Sequence, residues 1–324
     1  MTVATPSPFP GRPLRILTWH VHGNYLYALG HVPHQFVVPG LPGSPPGYGA
    51  LGRRIPWPAN VVQVPAEDLR SSKFDCVLYQ SRQNLEDARL LLSDEQRALP
   101  SAYLEHNPPE PHPTDTVHPF RHDRGLLVHV TPFNAAMWDS GGMPVRVVEH
   151  GVPVPQASYD GSLARGIVVI NHLARRGRRI GRDIFEHTRA LTPLDLIGMG
   201  SEELGGLGEI PNMEVAGCLA RYRYFFSPIR YASLGLSLVE AMLCGVPVVG
   251  FAATELPTVI RNGENGYVDT REDRLAEVGS QLLHEPELAR AWGAAGRRTA
   301  LERFGMERFV RDWMDVFDMI LETA

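Results

Sequence analysis

The chain has 324 residues, 44% of them hydrophobic and 21% charged, with a formal net charge of -5. That length suits two domains of about 150 residues, each with its own core, and the composition is that of a globular chain rather than a disordered one. Lys73 is the single lysine and arginine supplies the remaining positive charge, so this acidic chain presents no footprint for nucleic acid.

The first segment, Met1 to Pro13, is rich in Thr, Ser and Pro and has no apolar run, so it does not read as a secretory leader. Leu14–His20 reads as the first strand and Gln35–Val38 as a second. Residues 39–60 are dense in Pro and Gly and read as a long loop, of a length that is functional or mobile as often as it is a plain connection. Phe74–Gln80 is a third strand, followed by a helical pattern from Glu86 to Ala98. Ala102–Leu104, Leu126–Val130 and Val145–Val148 are further short apolar runs, with a second Pro-rich loop over 107–120.

A Pro-rich interval at about 152–163 marks a linker, and a second alternating series follows it. Its predicted strands are Gly166–Ile170, Leu194–Ile197, Tyr224–Ser227 and Val246–Phe251. Its predicted helices are Ile180–Leu191, Met213–Arg221, Leu236–Leu243 and Glu255–Arg261. From about Arg271 to Ala324 the pattern is helical, with Gly293 and Gly305 as expected interruptions. Strands alternating with helices predict α/β architecture with parallel sheets, here two Rossmann-like lobes with a cleft between them and a helical C-terminal tail. The expected boundaries are 1–155 for the first lobe, 156–305 for the second and 306–324 for a terminal helix.

Cys76, Cys218 and Cys244 are widely spaced and odd in number, which fits a reducing compartment and neither zinc nor a disulfide framework. No stretch reaches the roughly 18–20 apolar residues that span a bilayer. A cytoplasmic chain with no transmembrane segment is expected, with peripheral membrane contact left open.

The most informative segment is Leu234–Cys244 followed by Gly245–Gly250. It reads as a glycine-bearing loop, a short helix with Glu240 in its first turn, a glycine stop and a buried strand. A loop entering a helix start offers backbone N–H groups and the positive end of a dipole, which suits a phosphate. A carboxylate close behind is placed to bind hydroxyls on whatever carries that phosphate.

Ser227-Pro228-Ile229-Arg230-Tyr231 before that loop, Glu240-Ala241-Met242 after it, and Gly245 with Pro247–Val249 resemble the family-4 retaining glycosyltransferases of the GT-B fold. Asn262-Gly263-Glu264-Asn265-Gly266 is similar to that family's Asn-Gly-x-x-Gly turn. Val147–Val152 resembles the segment entering its interdomain linker, and Phe304–Phe309 the point where its last helix returns toward the N-terminal lobe. The resemblance covers the C-terminal lobe well and the N-terminal lobe loosely.

The resemblance implies a transfer of sugar from a nucleoside diphosphate sugar to the hydroxyl of a small-molecule or glycan acceptor, with retention and no cofactor or metal. It implies that Glu240 binds the ribose hydroxyls, and that the backbone of Ser233, Leu234, Gly235, Leu236 and Ser237 holds the sugar and distal phosphate. The family carries a first, sugar-contacting Glu eight positions earlier, where this chain has Ala232. Arg175, Arg176 and Arg179, in the basic run after the strand ending at Ile170, take the place of the cations that neutralise the diphosphate; a basic helix start facing solvent is the plainer reading. Asn171-His172-Leu173 stands where the family has Gly-Arg-Leu.

In the N-terminal lobe, Gly23 in His20–Leu26 lets backbone approach a sugar phosphate. His20 and His22 have the form of a zinc pair, but no third ligand accompanies them. His106, at the end of Ala102–Leu104, resembles the family histidine that faces the donor sugar, with a structural role equally open and Glu105 as a weaker neighbour. Trp138 reads as packing a helix on the sheet. A nucleotide-sugar epimerase on the same fold, or a nucleotide-sugar-binding protein without catalysis, are the alternatives. A dehydrogenase is disfavoured because no Gly-x-Gly-x-x-Gly follows either lobe's first strand.

Overall fold

The computed structural model describes residues 12–52 and 55–322, so most of the Met1–Pro13 segment lies outside the described residues. It divides into two compact units, 1–151 with 306–324, and 152–305.

Unit 1 carries β1 (Arg15–Leu17), α1 (Gly23–Leu29), β2 (Gln35–Gly40), β3 (Val61–Pro65), β4 (Cys76–Tyr79), α2 (Arg82–Leu91), α3 (Asp94–Arg97), β5 (Ser101–Glu105), β6 (Gly125–His129), α4 (Pro132–Met137) and β7 (Val145–Val147). The strands form one parallel sheet in the order β3-β2-β1-β4-β5-β6-β7. Order reverses between β1 and β4, and a crevice forms outside the carboxyl ends of the strands at such a point.

Unit 2 carries β8 (Leu163–Val169), α5 (Leu173–Arg176), α6 (Arg182–Leu191), β9 (Leu194–Ile197), α7 (Asn212–Leu219), β10 (Tyr222–Ser227), α8 (Leu236–Cys244), β11 (Val248–Phe251), α9 (Leu256–Val259), β12 (Gly266–Asp269), α10 (Glu272–His284) and α11 (Pro286–Phe304). Its parallel sheet runs β12-β11-β10-β8-β9, so its reversal lies between β8 and β10.

The last helix, α12 (Met306–Glu322), belongs to unit 1. Phe309, Trp313, Val316, Phe317, Ile320 and Leu321 recur at helical spacing and are all buried, in one core cluster with Ile16, Val38, Leu78 and Leu104 of the sheet. Its entry is fixed by Arg308, which donates to the carbonyls of Glu149 at 3.0 Å and His150 at 2.5 Å. Gly151 lets this happen, since a Cβ there would lie 2.3 Å from the Phe309 ring.

Several elements differ from the sequence expectation, each for a local reason. The helix expected over Glu86–Ala98 is two, α2 and α3, because Ser93 forms a capping box with Gln96 and turns the buried Leu92 into the core. The helix expected from Ile180 begins at Arg182, after a 3-10 turn over Gly177–Ile180, and the helix expected over Glu255–Arg261 shortens to α9. Gly293 does not interrupt its helix. It sits inside α11, where a Cβ would stand 1.9 Å from the Gly245 carbonyl oxygen, so the glycine lets α11 approach the end of α8. The break falls instead at Glu285, with Pro286 opening α11. β12 overlaps the stretch read as a turn, and α1 and β3 lie where the sequence assigns no element.

Part of the loop over 39–60 is pinned. Gly49 offers its carbonyl to His20 Nδ1 at 2.9 Å and to Gln63 Nε2 at 3.0 Å, and the Tyr48 hydroxyl donates to Asp87 at 2.6 Å. Among the described residues no helix is long and apolar enough to cross a membrane.

Candidate functional site

In unit 2 the loops that follow β8 and β10 meet at the reversal of strand order. After β8, Asn171 accepts the Met199 N–H at 2.9 Å and His172 donates its own to the Met199 carbonyl at 2.7 Å. His172 takes a left-handed conformation, φ 54°, and starts α5. Arg175 and Arg176 close that short helix, and no described residue gives either side chain a hydrogen bond or an ion pair. Desolvation, then the neighbouring Arg175, holds the Arg176 guanidinium below its ordinary value. Both side chains are exposed, as the plainer reading of a basic run facing solvent expects, and two adjacent cations without a carboxylate leave their charge open to an arriving anion.

Arg178 differs from them, because it is paired with Asp183. Arg179 acts through its backbone: its carbonyl accepts the N–H groups of Arg230 at 3.2 Å and Tyr231 at 2.9 Å. Arg230 completes the joint. Its guanidinium donates to both Asp183 oxygens, at 2.5 and 3.0 Å, and to the Arg178 carbonyl at 3.0 Å, and lies 5.5 Å above the Phe251 ring. Gly181 supplies the close approach, with φ 83° and a Cβ position only 1.9 Å from the Pro228 carbonyl oxygen. The arginine loop and the loop after β10 are thereby locked together.

That second loop runs through Ala232, Ser233 and Leu234 to Gly235, the N-cap of α8, whose extended backbone brings no side-chain cap. The Leu238 N–H turns back to the Gly235 carbonyl at 3.2 Å. The N–H groups of Leu236 and Ser237 head the helix, where no intrahelical carbonyl reaches them. Glu240 is the fifth residue of α8, so it stands in the second turn and not in the first, as the sequence reading had it. It makes no hydrogen bond or ion pair with any described residue, and burial pushes its carboxyl up to about 7. The helix-start carboxylate favoured by the dipole is therefore not what this residue is. α8 ends at Gly245, φ 87°, a left-handed C-cap.

Unit 1 gathers a second group at its own reversal point. His106 follows β5, and its ring lies edge-on to His22 with centroids 4.3 Å apart and to Tyr25 at 4.9 Å; Tyr25 also meets His150 at 5.9 Å. His106 Nε2 lies 3.1 Å from the Gln80 side-chain oxygen. The Gln80 amide nitrogen is engaged by Thr18 Oγ1 at 2.9 Å and the Trp19 carbonyl at 3.0 Å, so its oxygen faces the imidazole and the proton sits on His106 Nε2. Burial, with His22 and His150 adding repulsion, holds His106 well below the ordinary imidazole value, and it is neutral at physiological pH. Gly23 opens α1 beside His22; a Cβ there would meet His20 at 3.2 Å.

Glu105 is committed elsewhere, to His118 at 3.2 Å and the Asn107 N–H at 2.8 Å. His20 turns to Gly49 and Trp57 while His22 turns to His106, so the two rings do not share a ligand. Trp138 packs on His118 and donates to the Asn107 carbonyl at 2.8 Å. Sequence reasoning missed Arg230, Gln80 and Tyr25. Arg230 stood inside the quoted Ser227–Tyr231 segment, but its partner Asp183 is remote in sequence and nothing flagged the pair.

Residues 201–299 match the family model of group 1 glycosyl transferases. N-acetyl-alpha-D-glucosaminyl L-malate synthase of Bacillus anthracis is 36% identical over 91 residues, 28% of this chain and 24% of that protein. Alpha-maltose-1-phosphate synthase of Mycolicibacterium smegmatis is 29% identical over 116 residues, 33% of this chain and 30% of that protein. The matches thus span under a third of these relatives. Among solved structures, sucrose-phosphate synthase from Thermosynechococcus elongatus superposes with a TM-score of 0.71 at 16% identity, covering 96% of this chain and 100% of that one. Anabaena HepE in complex with UDP-glucose gives 0.68 at 15% identity, over 94% and 99%. Across residues 201–299 the chain therefore carries the sequence pattern of the group 1 glycosyl transferases, on two Rossmann-like lobes of the kind found in solved GT-B glycosyltransferases.

Proposed function

We propose that this chain is a family-4 retaining glycosyltransferase that moves a sugar from a nucleoside diphosphate sugar to an acceptor hydroxyl. The observation that carries the reading is that two loops of unit 2 joined by the Arg179 and Arg230 hydrogen bonds carry two cations without a carboxylate, Arg175 and Arg176, and lead into an uncapped helix start followed by a half-buried carboxylate without a partner, Glu240. A nucleoside diphosphate supplies a diol to the first, negative charge to the second and phosphate oxygens to the third. In this reading Arg175 and Arg176 meet the charge that grows on the leaving diphosphate, with Arg179 behind them, and no metal ion or cofactor is needed. The backbone from Ser233 to Ser237 cradles the distal phosphate, and that phosphate assists deprotonation of the acceptor. The relatives' names support the reaction class: one makes a glucosaminyl malate and another a maltose phosphate.

The test is calorimetric titration of uridine, guanosine and adenosine diphosphates and their sugars, followed by NMR of the product's anomeric configuration. The double variant Arg175→Ala/Arg176→Ala is expected to lose about 100-fold in diphosphate affinity and to show a weaker salt dependence, with nucleoside affinity unchanged. Equal diphosphate affinity in the variant would remove the assignment.

His106 is assigned to the transferred sugar, with its Nε2 proton set by Gln80 and Gly23 placing backbone beside it. His106→Ala is expected to lower turnover about 10- to 100-fold, the range of one hydrogen bond made in the transition state, while binding of the bare nucleoside diphosphate is unchanged. Unchanged turnover returns His106 to a structural role.

A further inference from the structure

The amino ends of the unit 1 strands form a cavity of about 620 Å³, lined by Arg12, Pro13, Arg15, Pro33, His34, Gln35 and Asn60. It lies at the opposite edge of the sheet from His22, Gln80 and His106, which follow strand carboxyl ends. Arg15 is the first residue of β1 and Gln35 the first of β2. The volume is that of a small-ligand pocket.

Its polar groups divide into those already used and those left over. The Arg12 guanidinium is bound to both Asp75 oxygens, at 2.9 and 2.6 Å, and Asp75 also accepts the Arg15 backbone N–H at 2.7 Å. Asn60 donates to the carbonyls of Val32 at 3.0 Å and His34 at 2.7 Å, which fixes the turn at Pro33. His34, 7% exposed, accepts the Leu14 N–H on Nδ1 at 3.3 Å, so its proton sits on Nε2 and the ring is held in one tautomer. The Arg15 guanidinium is different. It lies over the Phe74 ring at 5.7 Å, and no described residue gives it a hydrogen bond or an ion pair; the Gln35 side-chain amide is likewise unengaged.

A cation held by an aromatic face, paired across β1 and β2 with a residue whose amide is free, is a receptor for a planar or tetrahedral oxyanion. We propose that this cavity binds a small phosphate- or carboxylate-bearing anion, with Arg15 and Gln35 as the contacting groups. Its place on the sheet separates this ligand from anything bound at the strand carboxyl ends.

Calorimetric titration of the full chain with glycerol 3-phosphate and with succinate tests it, the two probes separating phosphate from carboxylate. Binding of one of them with a Kd below about 10 mM is expected, weakened at least about 10-fold in Arg15→Ala and in Gln35→Glu and retained in Arg175→Ala/Arg176→Ala. Gln35→Glu places a like charge in the cavity without removing the ring contact of Arg15, so it reads binding even if Arg15→Ala folds poorly. No heat with either probe, binding unchanged in Gln35→Glu, or binding lost in the arginine double variant would overturn the proposal.

Discussion

Replacing Glu240 by glutamine is expected to weaken nucleoside diphosphate binding about 100-fold and, at pH 8, to raise the melting temperature by about 10 °C. The two effects have one cause. Burial holds the Glu240 carboxyl at about 7, above its ordinary 4.5, and no described residue compensates the charge. The folded chain therefore binds that proton more tightly than the unfolded chain. The cost of ionising the residue is absent below about pH 4.5, grows as pH rises toward 7, and is fully present above it. A rise of that size corresponds to about 3 kcal/mol at pH 8, which the neutral amide avoids. The stability gain of Glu240→Gln should shrink steadily toward pH 5.

The proposed ligand reverses the balance. A ribose diol donates two hydrogen bonds to the ionised carboxylate, so donor affinity of the wild type should climb between pH 6 and 8 and stay flat in Glu240→Gln. Melting curves and calorimetry across that range check both. A variant that gains stability yet binds donor normally keeps the burial and loses the ribose assignment. One that does neither loses both.

The alternation of short apolar runs with helical patterns was enough to read two parallel α/β lobes, because strands such as Leu126–Val130 and Val246–Phe251 are buried on both faces and show as continuous apolar runs. What it could not convey was where the interruptions fall. Ser93 ends a helix through a reciprocal cap with Gln96, and Gly293 preserves one through contact with Gly245, a partner 48 positions away. The first depends on side-chain geometry and the second on tertiary approach, and neither alters the hydrophobic period. β12 was read as a turn because its flanking Asn262 and Gly263 dominate the local signal.

The candidate site was legible where chemistry is local. Glu240 and the loop ahead of α8 lie within one stretch, so residue type and spacing sufficed to single them out. The arginine run was too dense to resolve by sequence, and pairing resolves it: Asp183 engages Arg178, leaving Arg175 and Arg176 without carboxylates. Gln80 gave no signal at all. Its contribution is the orientation of one amide by Thr18 and Trp19, contacts that span about 60 positions.

Gly181→Ala should be the most damaging single-methyl change near the site. It is expected to cost about 3 kcal/mol or more, lower the melting temperature by about 10 °C, and reduce diphosphate affinity beyond 10-fold. Two penalties act together. At φ 83° an alanine is strained, and its Cβ would fall 1.9 Å from the Pro228 carbonyl oxygen and 2.5 Å from its carbon. Both atoms belong to the backbone, so no rotamer change relieves the overlap, and the loop after β8 must separate from the loop after β10. That separation breaks the Arg230 and Tyr231 hydrogen bonds to the Arg179 carbonyl and shifts the loop that carries Arg175 and Arg176 relative to the loop that leads into α8. Gly205→Ala isolates the first penalty, since Gly205 has φ 64° and only the flexible tip of Arg189 nearby, at 3.6 Å. It should cost about 1 kcal/mol and leave diphosphate binding intact. Equal losses in the two variants, by thermal unfolding and calorimetry, would mean that left-handed strain alone acts at Gly181 and that the two loops are not coupled through it.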